Sequence, residues 1–168
     1  MDVVKTVAKY LNTPVGTVCY NTDRVLTTML DNENIEGFAS IILRLAERSA
    51  VKMSREQTLL CYQWLEHIAM YGNQAASNPV FAKNFLQEIN RSLEKSTYLT
   101  GSYETVADVA AYHVLYPLID NLTVSEQESL MHVCRWSKHI QSQPRVCQNK
   151  SPLQLNTLTL SILAPAAH

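Results

Sequence analysis

Apolar positions recur with helical spacing over most of the chain, in runs of ordinary length. Val3, Val4, Val7, Ala8 and Leu11 form one stripe, which Asn12-Thr13-Pro14 stops. Two short pieces rich in β-branched residues follow, Val15 to Tyr20 and Val25 to Leu30, and Asn21-Thr22-Asp23 between them predicts a hairpin. Ile35, Phe38, Ile42 and Leu45 then predict a helix that follows a turn over Asp31-Asn32-Glu33-Asn34.

Ser49 to Ser54 reads as a joint, with strands and helices mixed before it and helices alone after it. It divides the chain into an N-terminal part, 1–50, and a helical part, 51–168, with a tail from about 147. Ser54 is a fitting N-cap, with Gln57 three residues on. Leu60, Cys61, Trp64, Leu65 and Ile68 then predict a helix ending near Gly72. Asn78-Pro79 opens the next, marked by Phe81, Phe85, Ile89 and Leu93. The stretch from Thr105 to Leu118 is apolar nearly all round, which assigns it to the centre of the fold. A last helix is expected from Glu126 to Gln141, closed by Pro144. Alternation at Leu158, Leu160 and Ile162 suggests a strand docking on the N-terminal hairpin.

Composition narrows what these elements can do. With 14 Lys plus Arg against 15 Asp plus Glu, the chain has no basic field for a phosphate backbone, so direct nucleic-acid binding is not expected. Gly16, Gly37, Gly72 and Gly101 stand alone, so neither a dinucleotide fingerprint nor a P-loop can be written. The four cysteines, Cys19, Cys61, Cys134 and Cys147, show no paired spacing and read as reduced thiols. Met1-Asp2-Val3-Val4-Lys5 puts charges where a secretory signal needs an apolar run, and the tail is too polar to span a bilayer. The expectation is a cytoplasmic protein without membrane contact.

Most candidate chemical residues favour structural roles. His132 and His139 are seven apart with no third ligand at metal spacing. His67 and His113 lie in apolar helices, as do Cys61 and Cys134, and Trp64 and Trp136 suit a core. Lys52, Arg55 and Glu56 read as a solvated helix start.

The richest segment is Tyr98-Leu99-Thr100-Gly101-Ser102-Tyr103-Glu104-Thr105-Val106-Ala107-Asp108. Thr105 and Asp108 are spaced as a capping box, with the shorter Asp in place of Glu. At the start of a buried helix such a box is structurally necessary, because water cannot reach the orphan N–H groups. The pattern Leu99-x-Gly101-x-x-x-Thr105-x-Ala107-Asp108 resembles the capping-box motif of the glutathione S-transferase C-terminal domain. Together with Gln63-Trp64-Leu65-Glu66, Leu122-Thr123-Val124 and Arg135-Trp136-x-x-His139-Ile140-Gln141, it is similar to a non-enzymatic branch, the aminoacyl-tRNA synthetase complex-interacting multifunctional proteins.

That resemblance implies a mostly α fold: a truncated thioredoxin-like N-terminal part joined to an all-helical transferase-like domain. It also implies no catalytic residue and no cofactor. The chain opens directly in a helix, with Tyr10 at its end and Cys19 beyond it, so neither takes the family's catalytic place. Arg24 stands where the family carries a cis-proline, and Ile35-Glu36-Gly37-Phe38 lacks the acidic-Ser pair that holds the γ-glutamyl group. The implied function is a scaffold of the multi-synthetase complex, docking methionyl-tRNA synthetase and glutamyl-prolyl-tRNA synthetase through their transferase-like domains. Arg135 is the residue this assigns to partner binding, against an internal ion pair with Asp120 or Glu126. A nuclear location under stress and homodimerisation of the isolated chain are further expectations of the same reading. The alternatives are a glutathione transferase-type enzyme, using Cys19 or Tyr10, and a structural subunit of the elongation factor 1 complex.

Overall fold

A computed structural model describes residues 2–49 and 51–155. Helix α1 (Asp2–Tyr10) precedes a three-stranded antiparallel meander of β1 (Val18–Tyr20), β2 (Leu26–Leu30) and β3 (Glu33–Glu36). Helix α2 (Phe38–Arg48) covers it with Ala39, Ile41, Ile42, Leu45 and Ala46 buried. Five helices follow: α3 (Arg55–Ser77), α4 (Pro79–Ser92), α5 (Val106–Asp120), α6 (Val124–Ser129) and α7 (Met131–Gln141).

The hairpin is present, and a third strand occupies what the periodicity read as a turn. Leu30 pairs with Glu33, so the β2–β3 loop is only Asp31-Asn32. Both residues lie in the left-handed region, at φ 53 and 64, which is the geometry of a tight primed turn. The polar Glu33-Asn34-Ile35-Glu36 then pairs along β2, a strand too polar to advertise itself by hydrophobicity. In the other loop, the Asn21 side-chain oxygen accepts from the N–H groups of Asp23 at 3.0 Å and Val25 at 2.9 Å.

Helix α3 does not stop at Gly72 but continues to Ser77. Gly72 is buried where α3 crosses α5, and a Cβ there would meet Val114 Cγ1 at 2.6 Å, so the glycine permits close approach and ends nothing. The Ser54–Gln57 capping box starts α3, and Asn78 caps α4 by accepting from the Phe81 N–H at 3.1 Å. The helix expected over Glu126 to Gln141 is two helices, broken at Leu130. The strand suggested at Leu158, Leu160 and Ile162 lies outside the described residues. Helix α5 is central: Ala107, Val109, Ala110, Ala111, Tyr112 and Leu115 are all inaccessible to solvent, and α1, α2, α3 and α7 pack around it.

Candidate docking faces around a buried capping node

Asp108 is the most constrained polar residue of the helical part. Its side chain is fully buried, and both oxygens are occupied. Oδ2 accepts from the Thr105 N–H and the Thr105 hydroxyl, each at 3.0 Å. Oδ1 accepts from the Leu99 N–H at 2.9 Å and the Trp136 indole N–H at 3.0 Å. The Asp108 N–H itself donates to the Thr105 carbonyl at 3.1 Å. The Thr105 hydroxyl thus acts as a donor to the carboxylate. One carboxylate joins the start of α5, the loop before it and the middle of α7. Burial pushes the Asp108 carboxyl up from its ordinary value, and the four donated bonds pull against that shift.

The spacing of the motif follows from this node. Tyr98 and Gly101 exchange backbone hydrogen bonds of 3.0 and 3.1 Å, closing a loop that aims the Leu99 N–H at Asp108. Gly101 holds φ 118, a conformation that side-chain-bearing residues rarely adopt. Sequence spacing identified Thr105 and Asp108 but gave no sign of the third and fourth partners, because Leu99 contributes a backbone group and Trp136 lies 28 residues away.

Arg135 sits on the exposed side of α7. Its Nη2 donates to the carbonyls of Leu93 at 2.7 Å and Ser96 at 2.9 Å, satisfying acceptors beyond the end of α4. Asn90 of α4 does the converse, its side-chain oxygen accepting from the N–H groups of His132 at 2.9 Å and Val133 at 3.0 Å. The two helices therefore cap one another. This explains why the chain restarts a helix at Met131: the first N–H groups of α7 are satisfied by Asn90, since Leu130 has no capping side chain. Around Arg135, Lys138 and His139 are exposed and His132 is half-buried, so the outer face of α7 carries two cations, Arg135 and Lys138.

A second face carries exposed apolar side chains, with Gln63 and Glu66 between them on the same side. On α3, Leu59, Tyr62 and Met70 are 60%, 44% and 65% exposed, and their spacing puts them on one side of the helix. Nearby, His67 is packed among Trp64, Tyr71 and Phe85, with Nε2 3.5 Å from a Glu88 oxygen.

The side chains weighed for a glutathione site lie in different surroundings. The Tyr10 hydroxyl donates to Glu104 at 3.1 Å, and burial followed by the Glu104 charge pushes its phenol up to about 12. Cys19 is exposed on β1, and Arg24 has φ 60 in the β1–β2 loop. Cys61 and Cys134 are buried, the latter raised to about 11 by burial alone. Among the described residues no group of three or more His, Cys, Asp or Glu could hold a metal ion, and no helix is long and apolar enough to cross a membrane.

A family model described as nuclear-export cofactor Arc1p matches residues 60–144. Human eukaryotic translation elongation factor 1 epsilon-1 is 35% identical over 97 residues, 57% of this chain and 55% of that protein. The protein of the same name from Cricetulus griseus is 31% identical over 123 residues, covering 70% of each. The tRNA-aminoacylation cofactor arc1 of Schizosaccharomyces pombe is 28% identical over 91 residues, 54% of this chain but 20% of that protein. A solved ternary complex of BphK, a bacterial glutathione S-transferase, superposes with TM-score 0.64 at 16% identity over 86% of this chain and 90% of its own, which establishes the transferase-like fold. The chain accordingly belongs to the Arc1p and elongation factor 1 epsilon-1 family, built on the glutathione S-transferase fold.

Proposed function

We propose that this chain is a non-catalytic adaptor of translation, which holds aminoacyl-tRNA synthetases together by docking their transferase-like domains on its outer helical faces. The observation that carries the reading is the exposed apolar stripe Leu59, Tyr62 and Met70 on a helix whose opposite side is fully buried in the core. The names of the relatives support the same direction, one being an aminoacylation cofactor and others an elongation-factor component. The engagement of Tyr10 with Glu104 supports the non-catalytic part, because a phenol already donating to a carboxylate has no proton to offer a thiolate.

In this reading the α3 stripe receives the transferase-like domain of methionyl-tRNA synthetase, and the outer face of α7 receives that of glutamyl-prolyl-tRNA synthetase. The joint between the N-terminal part, 1–50, and the helical part, 51–168, then serves to present both faces from one body. The role of Arg135 at the second interface is double, since it also holds the end of α4. Lys138→Glu probes the same exposed face: it reverses a charge there and leaves in place the guanidinium that caps α4. Purified chain should co-elute with each synthetase domain at micromolar concentration, and Lys138→Glu should lose the glutamyl-prolyl partner alone. Failure of both partners to co-elute removes the reading.

The elongation-factor name of the human and hamster relatives favours one competing assembly, the elongation factor 1 complex. Affinity capture from cell extract, with partners identified by mass spectrometry, separates them: synthetases support the proposal, and exchange-factor subunits replace it.

A further inference from the structure

A cleft lies where the end of α1, the start of α5 and the chain after α7 meet. It is made of two adjoining cavities of about 240 and 320 Å³, which share Tyr10, Leu11, Val51 and Pro144 as walls. Glu104 and Gln143 belong to the first cavity and Arg145 to the second. Neither Cys19 nor Arg24 lines it, and neither do the α3 stripe or the cations of α7.

The two cavities carry opposite charges that the fold's own bonding leaves over. Glu104 is half-buried; its Oε1 accepts from the Tyr10 hydroxyl at 3.1 Å, and its Oε2 accepts no hydrogen bond among the described residues. Burial, opposed by the Tyr10 bond, pushes the Glu104 carboxyl up, so a cation brought to it relieves a desolvated charge. In the second cavity the exposed Arg145 guanidinium makes no hydrogen bond or ion pair among the described residues. Its backbone is held at φ 68, next to the fully buried Val146, which fixes where the side chain starts. Tyr10 stands between the two charges, and its hydroxyl feels Glu104 and Arg145 with opposite sign.

We propose that this cleft binds a small zwitterion of the amino-acid class, a free apolar amino acid or a short apolar peptide, with its ammonium on Glu104, its carboxylate on Arg145 and its apolar body against Leu11, Val51 and Pro144. The guanidinium suits a carboxylate because it can donate two parallel N–H bonds, and the open oxygen of Glu104 suits an ammonium. A ligand with a single charge satisfies one end of the cleft and leaves the other unpaired. The site stands apart from the docking faces, so it holds or fails independently of the adaptor reading.

The test titrates the full, isotopically labelled chain with L-leucine and with the dipeptide leucyl-leucine, followed by the amide shifts in nuclear magnetic resonance. Saturable shifts at Leu11, Val51 and Arg145 are expected with at least one probe, and the one that binds more tightly tells whether an amino acid or a peptide bridges the two charges. On the parent chain, acetylating the ammonium or amidating the carboxylate of that probe should each weaken binding about tenfold or more, the worth of one charged hydrogen bond. Glu104→Gln keeps an acceptor for the Tyr10 hydroxyl and should erase the difference made by acetylation. Arg145→Asn, a residue that tolerates positive φ, should erase the difference made by amidation, and both variants should keep the parent's thermal midpoint. No saturable shift with either probe at millimolar concentration, blocked probes that bind as tightly as the free ones, or shifts that map to other residues would each overturn the proposal.

Discussion

The helical part contains the same cap twice, in opposite surroundings. Thr105 with Asp108 starts α5, and Thr123 with Glu126 starts α6, and in both the carboxylate accepts from the N–H and the hydroxyl of the Thr three residues before it. Burial raises the carboxyl of Asp108, whereas the bonds from Thr123 lower that of Glu126, which remains in solvent. The motif is therefore a local grammar whose consequence is set by what surrounds it. In solvent it trims a helix end. In the core it becomes a junction, because the buried carboxylate must fill its remaining acceptor positions and draws in Leu99 and Trp136 to do so.

Removing the two carboxylates breaks that comparison most forcefully. Asp108→Ala leaves the N–H groups of Leu99 and Thr105 and the indole of Trp136 without their acceptor, and should cost about 3–5 kcal/mol in denaturant unfolding. Glu126→Ala should leave the unfolding midpoint close to that of the parent, because water replaces the lost acceptor. Equal losses at the two sites would show that the cap, and not the burial, sets the energy.

The core contains a polar residue with far weaker partners, and it sharpens the contrast. His113 on α5 is 3% exposed, and its ring nitrogens make no well-formed hydrogen bond among the described residues, only a weak interaction with the Val146 backbone. Burial first, then the Lys150 charge, lowers its imidazole to about 4. The unfolded imidazole takes up its proton near the ordinary value of 6.5, while the folded one resists to about 4. This contribution to stability is complete above the ordinary value and is lost as pH falls through that window, by up to about 3 kcal/mol. His113→Leu should flatten that slope, measured as the difference between parent and variant so that the raised carboxyls of Glu104 and Asp108 cancel. An unchanged acid slope would mean that His113 is solvated in the native state.

A smaller effect is expected at Gly72. Gly72→Ala gains helix propensity but drives a methyl to 2.6 Å from Val114 Cγ1, and should be net destabilising by about 1–2 kcal/mol in thermal unfolding. A stabilised variant would show that α3 and α5 can separate without cost.

What could be read from the chain divides along the same line as the two caps. Helices α1 to α5 are visible because their buried residues repeat at helical spacing, and the Thr105–Asp108 spacing is visible because a capping box is local. Strand β3 is not visible, because Glu33-Asn34-Ile35-Glu36 is held by pairing and by a turn at Asp31-Asn32 with no run of apolar residues to announce it. The break at Leu130 is hidden for a similar reason: the group that restarts the helix is Asn90, on another element. Arg135 reads from sequence as an outward cation, and its contacts with the Leu93 and Ser96 carbonyls exist only once α4 and α7 meet. Local signals were legible, and partners brought together by tertiary structure were not.

The adaptor account rests on a separation between the buried node that holds the helices and the faces they present. The most direct measurement is size-exclusion co-elution of the transferase-like domain of methionyl-tRNA synthetase with the parent chain and with a Leu59→Glu, Met70→Glu form, alongside the thermal midpoint of each. Both substituted side chains are exposed at 60% and 65%, so the account predicts an unchanged midpoint and a lost complex. A complex that survives both substitutions at the parent's affinity would contradict it.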